Sequence, residues 1–307
     1  MIKIMVSGIA SDIGFGVGRI LKHHKMCDEL FGIDIKEDHP GMIVFDRTAV
    51  APLASDANYL QWLIDYIDEN KIDLFIPTTE AEICRLVESG SHNIGGTKVL
   101  LNHPFTISKS LDKFECLNHL EACGIPVPIH GLVGNKKPLQ YPVIVKPRFG
   151  QGSKGIVLVS DEDKFNHQKT GQVWQEYLSP DDEEYTCAAY ATPSTEARIL
   201  IMKRKLVGGL TGSGIISDNI EIRNYVSEII KNMMLNGSIN IQLRLTNSGP
   251  LLFEINPRLS STVVFRDKLG FADLRWWVAT EMGLPVDPYN PPKVGARFYR
   301  GSYEYIL

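Results

Sequence analysis

No Gly-Lys-Ser or Gly-Lys-Thr occurs anywhere in the 307 residues, so the chain has no Walker A loop. C-x-x-C and H-E-x-x-H are missing as well, which removes the common dithiol and zinc signatures. The five cysteines, Cys27, Cys84, Cys116, Cys123 and Cys187, form an odd set without metal spacing. Reduced thiols in a cytoplasmic setting are the reading that follows. No apolar run approaches the roughly 18 residues that span a bilayer. The opening stretch MIKIMVSGIASDIG breaks at Gly8 and Asp12 before it builds a signal-peptide core. A surplus of positive charge is absent too, because the formal net charge is −4. That argues against gripping a nucleic-acid backbone as the main task. What remains is a chain with 44% hydrophobic residues, enough for a sizeable core.

The first hundred residues alternate between strand and helix patterns. KIMVSGI, LFGIDI, IDLFIPTTE and TKVLLN read as strands, and GVGRILKHHK reads as a helix. In ANYLQWLIDYIDENK, Leu60, Leu63, Ile64 and Ile67 fall on one helical face. Such alternation predicts a parallel, doubly wound sheet. TISKSLDKFECLNHLEACGIPVP then carries a stripe of Leu111, Phe114, Leu117 and Leu120, ended by Gly124 and Pro126. Beyond about residue 140 strands dominate: PVIVKP, GIVLVS, VWQEYL, EYTCAAYA and RILIMKRKLVGGL. A helix in IRNYVSEIIKNMML and two closing strands complete an α+β pattern.

Two glycine-rich stretches compete as phosphate sites. In YPVIVKPRFGQGSKGIVLVS, Lys146 ends an apolar run and Gly150, Gly152 and Gly155 follow, with Ser153 among them. A strand pattern follows these glycines, so a strand–loop–strand hairpin is expected rather than a dinucleotide fold. Such a loop folds over a triphosphate and donates backbone N–H groups. An ordinary flexible hairpin is the alternative. In VSGIASDIGFGVGRIL, Gly8, Gly14, Gly16 and Gly18 lie between a strand and a helix, and Asp34 ends the next strand. That is the dinucleotide reading. The separation of Gly8 from Gly14 departs from G-x-G-x-x-G and favours a tight strand–helix turn.

The stretch SINIQLRLTNSGPLLFEINPRLSS carries the most chemistry. Residues two apart in a strand share a face. Asn240, Gln242 and Arg244 therefore share one, as do Glu254 and Asn256. With the turn centred near Ser248, Gln242 lies across from Glu254 and Asn240 across from Asn256. Oxygen donors on one face suit a hard cation such as magnesium. Arg258 follows on the same side, placed to hold a phosphate or acyl phosphate. A solvated outer face is the alternative.

Lys113, Lys146, the glycine loop, QEYL with Glu184, then Gln242, Glu254, Asn256 and Arg258 occur in this order. The set resembles the ATP-grasp superfamily, most closely its carbamoyl-phosphate-synthase-like ligases, over nearly the whole chain. The resemblance implies a pre-ATP-grasp α/β domain over 1–105. It also implies two α+β subdomains that clamp ATP, over 106–174 and 175–307. By the same resemblance Lys113 and Lys146 contact ATP phosphates under a 150–155 lid. Gln175 to Leu178, including Glu176 and Tyr177, links the subdomains and reads adenine through the backbone. Glu184 accepts from the ribose. Gln242, Glu254 and Asn256 hold magnesium, with manganese an alternative. Arg258 attends the transferred phosphoryl group, with Lys146 and Asn256 as its catalytic company. Lys203 and Arg204 are candidates near phosphate or substrate. PTTEAE resembles a Pro-Thr-x-Asp-x-Glu motif with Glu80 at the Asp position.

The function implied is an ATP-dependent carboxylate–amine ligase working through an acyl phosphate. A non-catalytic nucleotide sensor and a phosphotransferase that stops at phosphorylation are the rivals. The substrates implied are a small-molecule carboxylate and an amine or other nucleophile, with no nucleic-acid or membrane partner, and a homodimer is allowed. The chain ends soon after the hairpin, so acceptor specificity is expected from the first domain, Ser260–Arg266, the tail or a partner chain. Arg266 is the candidate for holding the carboxylate, with a surface ion pair to Asp267 or Asp273 as the alternative.

Overall fold

A computed structural model describes residues 1–90, 93–150, 155–193 and 195–301. The first part is a six-stranded sheet of β1 (Lys3–Ser7), β2 (Glu29–Asp34), β3 (Arg47–Val50), β4 (Leu74–Ile76), β5 (Asn93–Ile94) and β6 (Thr97–Val99). Its order is β3-β2-β1-β4-β6-β5, parallel except for the β5–β6 edge. Between these strands run α1 (Asp12–His23), α2 (Tyr59–Asn70) and α3 (Glu80–Glu88). The strand order reverses at β1 and β4, whose C-terminal ends open a crevice of the kind where such sheets bind ligands.

The glycines of the first loop are packing residues. A Cβ on Gly14 would lie 2.4 Å from the Gly8 carbonyl oxygen, and one on Gly18 would lie 2.3 Å from the Phe45 ring. Their absence lets α1 lie close on β1 and on Phe45. Ser11 caps the helix by accepting from Gly14 N at 3.2 Å, a contact worth about 1 kcal/mol. Along α2 the buried face is Tyr59, Leu63 and Ile67, while Ile64 is exposed.

The stripe read through residues 111–120 is broken in two. Helix α4 (Pro104–Leu111) ends at Asp112, which starts α5 (Lys113–Ala122) by accepting from Phe114 N and Glu115 N. A four-stranded antiparallel sheet follows, ordered β7-β10-β8-β9, from β7 (His130–Leu132), β8 (Val143–Lys146), β9 (Val157–Val159) and β10 (Val173–Glu176). The short α6 (Glu162–Asn166) buries Phe165 against Trp174 in that sheet's own core.

The third sheet is antiparallel, in the order β15-β14-β11-β12-β13-β16. It comprises β11 (Glu184–Ala191), β12 (Arg198–Val207), β13 (Leu210–Ser217), β14 (Gly237–Thr246), β15 (Gly249–Asn256) and β16 (Arg297–Tyr299). Helix α7 (Ile220–Asn232) covers one face, burying Ile222, Val226 and Ile229 against Cys187, Ile201 and Ile241. On the other face α8 (Val263–Lys268) and α9 (Asp273–Met282) join a core that also holds Ile4, Val6 and Leu21 of the first part. One apolar cluster therefore fixes the first sheet to the third, and the expected boundary near residue 105 is not a break in the core. No described helix is long and apolar enough to cross a membrane.

Candidate active site

The hairpin of β14 and β15 has the expected pairing. Asn240 faces Asn256 and Gln242 faces Glu254. The turn itself is one residue tighter than a symmetric reading gives, because Thr246 pairs Gly249 and Leu243 pairs Leu252. A bulge at Phe253, which has no opposite number in the ladder, restores the register. The Phe253 carbonyl is used: Lys146 Nζ donates to it at 2.7 Å from β8 of the second sheet. The bulge thus supplies an anchor for a lysine that is itself buried.

Burial pulls the Lys146 ammonium down to about 8, with Glu254 opposing that fall and Lys113 adding to it. Lys113 begins α5, and its Nζ lies 3.9 Å from Glu254 Oε1 and donates to the Gly150 carbonyl. Its backbone N–H donates to the Arg148 carbonyl at 3.1 Å, while Arg148 Nη2 pairs with Asp112 at 2.7 Å. Asp112 and Arg148 therefore tie the start of α5 to the root of the glycine loop. Gly152 and Ser153 lie outside the described residues. Gly150 and Gly155 are described, both with positive φ.

The polar face of the third sheet continues across the strands. Thr186 pairs Gln242 in the ladder, and Glu184 pairs Arg244. Glu184 Oε1 accepts from Arg204 Nε at 2.9 Å and Glu184 Oε2 from Arg244 Nη2 at 2.9 Å. Arg204 Nη2 also lies 2.8 Å from Oε1, so Oε2 is the oxygen that keeps lone-pair capacity for a further donor. Arg204 Nη2 also donates to Gln242 Oε1 at 2.7 Å. Lys203 points elsewhere and pairs with Glu183. At the end of β10, Glu176 Oε1 accepts from Ile129 N at 2.8 Å, and the Tyr177 hydroxyl that follows binds Asp181. The Leu178 carbonyl accepts from Arg244.

Arg258 closes the hairpin face. Its Nη2 donates to Glu80 Oε1 at 2.9 Å and to Asn256 Oδ1 at 3.3 Å. This joins the hairpin to the start of α3, so Glu80 stands beside the site as an ion-pair partner of Arg258. Arg266 is placed differently from the expectation. Helix α8 turns it into the core, where it has no exposed surface and pairs with Asp273 at 3.0 Å. It does not reach the pocket, and the pair is buried rather than superficial. Burial pushes Asp273 up and presses Arg266 down, so desolvation works against both charges.

A cavity of about 400 Å³ lies where these parts meet. Glu254, Asn256, Arg258 and Arg204 line it from the third sheet, and Asp12, Thr78 and Thr79 line it from the first part. Asp12 is held by Arg300 at 3.1 Å, which also donates to the Ser261 carbonyl. Neither residue stands out in the sequence, since only the fold brings the tail to the start of α1. Among the described residues no group of three His, Cys, Asp or Glu side chains gathers to hold a metal. The oxygen donors are one carboxylate, Glu254, with the amide oxygens of Gln242 and Asn256. That sparse set fits magnesium, which shares its coordination with substrate phosphates and water.

The acid of the dinucleotide reading ties down its own loop. Asp34 is buried, and its two oxygens accept from Ala10 N at 2.8 Å and Lys36 N at 3.0 Å. It holds the loop together.

Residues 110–262 match the ATP-grasp domain model. Three solved structures share the fold over nearly all of this chain. Carboxyaminoimidazole ribonucleotide synthase from Aspergillus clavatus, complexed with ATP, has a TM-score of 0.74 at 14% identity, covering 96% of this chain and 80% of its own. L-amino acid ligase from Bacillus licheniformis has 0.71 at 16% identity, covering 92% and 74%. Biotin carboxylase from Campylobacter jejuni has 0.75 at 13%, covering 97% and 74%. Residues 110–262 thus form an ATP-grasp domain, and the chain as a whole has the fold of ATP-grasp ligases.

Proposed function

We propose that the protein is an ATP- and magnesium-dependent carboxylate–amine ligase acting through an acyl phosphate. The carrying observation is the hairpin face. Gln242 lies opposite Glu254 and Asn240 opposite Asn256, within reach of Lys113, Lys146 and Arg258.

In this reading the domains are 1–105, 106–174 and 175–307. Lys113 and Lys146 bind ATP phosphates. Backbone atoms of Glu176, Tyr177 and Leu178 meet adenine, and Glu184 meets the ribose hydroxyls. Gln242, Glu254 and Asn256 would hold the magnesium. Bound there, the ion would neutralise charge on the phosphate oxygens.

A carboxylate is a poor electrophile because loss of oxide is prohibitive. Attack of its oxygen on the γ-phosphorus breaks the bond to ADP and leaves an acyl phosphate. The amine then adds to the acyl carbon, and phosphate departs with the electron pair. Charge spreads over the phosphoryl oxygens during the first step. The cationic groups of Arg258 and Lys146 are positioned to stabilise it without reorganising. Exclusion of water matters because acyl phosphates hydrolyse.

Purified protein with ATP and magnesium, supplied with carboxylate–amine pairs, tests this directly. ADP and phosphate should appear only with a matching carboxylate. Hydroxylamine in place of the amine should give a hydroxamate. ADP formation without a hydroxamate, whatever the carboxylate, would remove the acyl phosphate.

A further inference from the structure

A second cavity, of about 410 Å³, opens at the C-terminal ends of β1, β2 and β3. It lies within the usual size range of small-molecule pockets. Its wall is mainly apolar: Ile33, Ile35, Pro52, Leu53 and four alanines contribute to it. Ile35 and Leu53 are 55% and 50% exposed, so apolar surface faces water there. The charged groups are few and mostly committed. Asp34 is buried and accepts from two backbone N–H groups. Glu82 is buried and accepts from Ser7 Oγ, Thr79 Oγ1 and Tyr59 hydroxyl at 2.5, 2.7 and 2.9 Å. Lys36 stands at the rim.

Ser11 and Thr79 line this cavity and also line the reaction cavity beside Glu254 and Arg258. The two spaces are therefore neighbours across one shared wall. Their chemistry differs sharply. The reaction side is walled by hydroxyls, amides and paired charges, and the far side by alkyl groups.

We infer that one of the two substrates joined by this ligase carries an uncharged apolar tail, seated in the cavity at Ile35, Leu53 and Ala81, with its reactive polar head beyond Ser11 and Thr79. The inference rests on the ligase reading for the head and on the cavity's wall for the tail. A tail that passes from water into this wall gains by burial, while a charged one gives up hydration against a mainly alkyl wall.

Two homologous series serve as probes: straight-chain carboxylates and straight-chain primary amines, each of two to eight carbons. Ala81 is exposed at the start of α3, so Ala81→Trp fills the cavity from its rim. Leu53→Asp, in an exposed loop, places a charge in the apolar wall. In one series, affinity should tighten by about three- to fourfold per added methylene until the cavity is full. Both variants should flatten that dependence, with Mg–ATP titration as the check that they fold. Affinity is read by calorimetry, independently of turnover. A flat dependence in both series of the wild type, or a slope unchanged in both variants, overturns the inference. Absence of ADP formation with every carboxylate–amine pair would sink the ligase reading instead, while the calorimetric slope still decides the tail.

Discussion

Arg258 and Arg266 are eight residues apart and have opposite fates. Arg258 follows the end of β15, where the strand period sets its side. It bridges Asn256 and Glu80 at the wall of a cavity. Arg266 sits on α8, a six-residue helix that rotates it into the core against Asp273. One arginine therefore lines the cavity, and the other lies in the core. Residue type and nearness to the hairpin do not separate the two. The element each sits on does.

The largest effect on turnover should fall on Arg258. Arg258→Ala removes a cation from the proposed phosphoryl site and should lower kcat by about 10²–10³-fold. Its melting temperature should move far less than that of Arg266→Ala. A variant with near-normal kcat would move Arg258 to the structural side of the comparison.

Arg266→Ala should do the reverse. It strands Asp273 without its partner in the core and should cost about 3–5 kcal/mol in urea unfolding. Pairing Arg266→Met with Asp273→Leu should recover most of that loss, because neither charge then needs a partner. Full stability in the single variant would show that the pair holds nothing together.

Lys146 sharpens the contrast through pH. Its ordinary value of 10.5 falls to about 8 in the folded chain through burial. Between these values the unfolded chain binds the proton and the folded chain has released it. Stability attributable to this group therefore rises as pH goes from 8 towards 10.5. ATP affinity should fall over the same range, by about tenfold to a hundredfold, as the charge on Nζ disappears. Lys146→Arg should abolish that fall. Parallel decline in both proteins would assign the pH effect elsewhere.

The smallest effect is expected at Asp34. Asp34→Ala loses two backbone contacts, worth about 1 kcal/mol each, and should leave ATP affinity unchanged. Titration with NAD should show no saturable binding in either protein. A dinucleotide isotherm lost in the variant would restore the reading that the loop geometry displaced.

Much of the hairpin was legible because two rules sufficed. Alternation fixed the polar face, and symmetry about Ser248 fixed the Gln242–Glu254 pairing. The bulge at Phe253 was not legible, since the tighter turn and the extra residue cancel in the register beside the site. The break at Asp112 left a local trace, an N-cap acid just before Lys113, inside a stripe that reads as continuous. Helix α8 was hidden by Val263 and Val264, β-branched residues that read as an extended exit from the strand. The Arg300–Asp12 contact and the cavity beside Ile35 join residues remote in sequence, so only packing reveals them.

The central claim is that Glu254 anchors the ion at which ATP is held. Calorimetric titration of ATP with and without magnesium, in the wild type and in Glu254→Gln, tests it without knowledge of either substrate. Magnesium should strengthen ATP binding to the wild type and make little difference to a folded Glu254→Gln protein. An equal magnesium effect in both proteins would contradict the account.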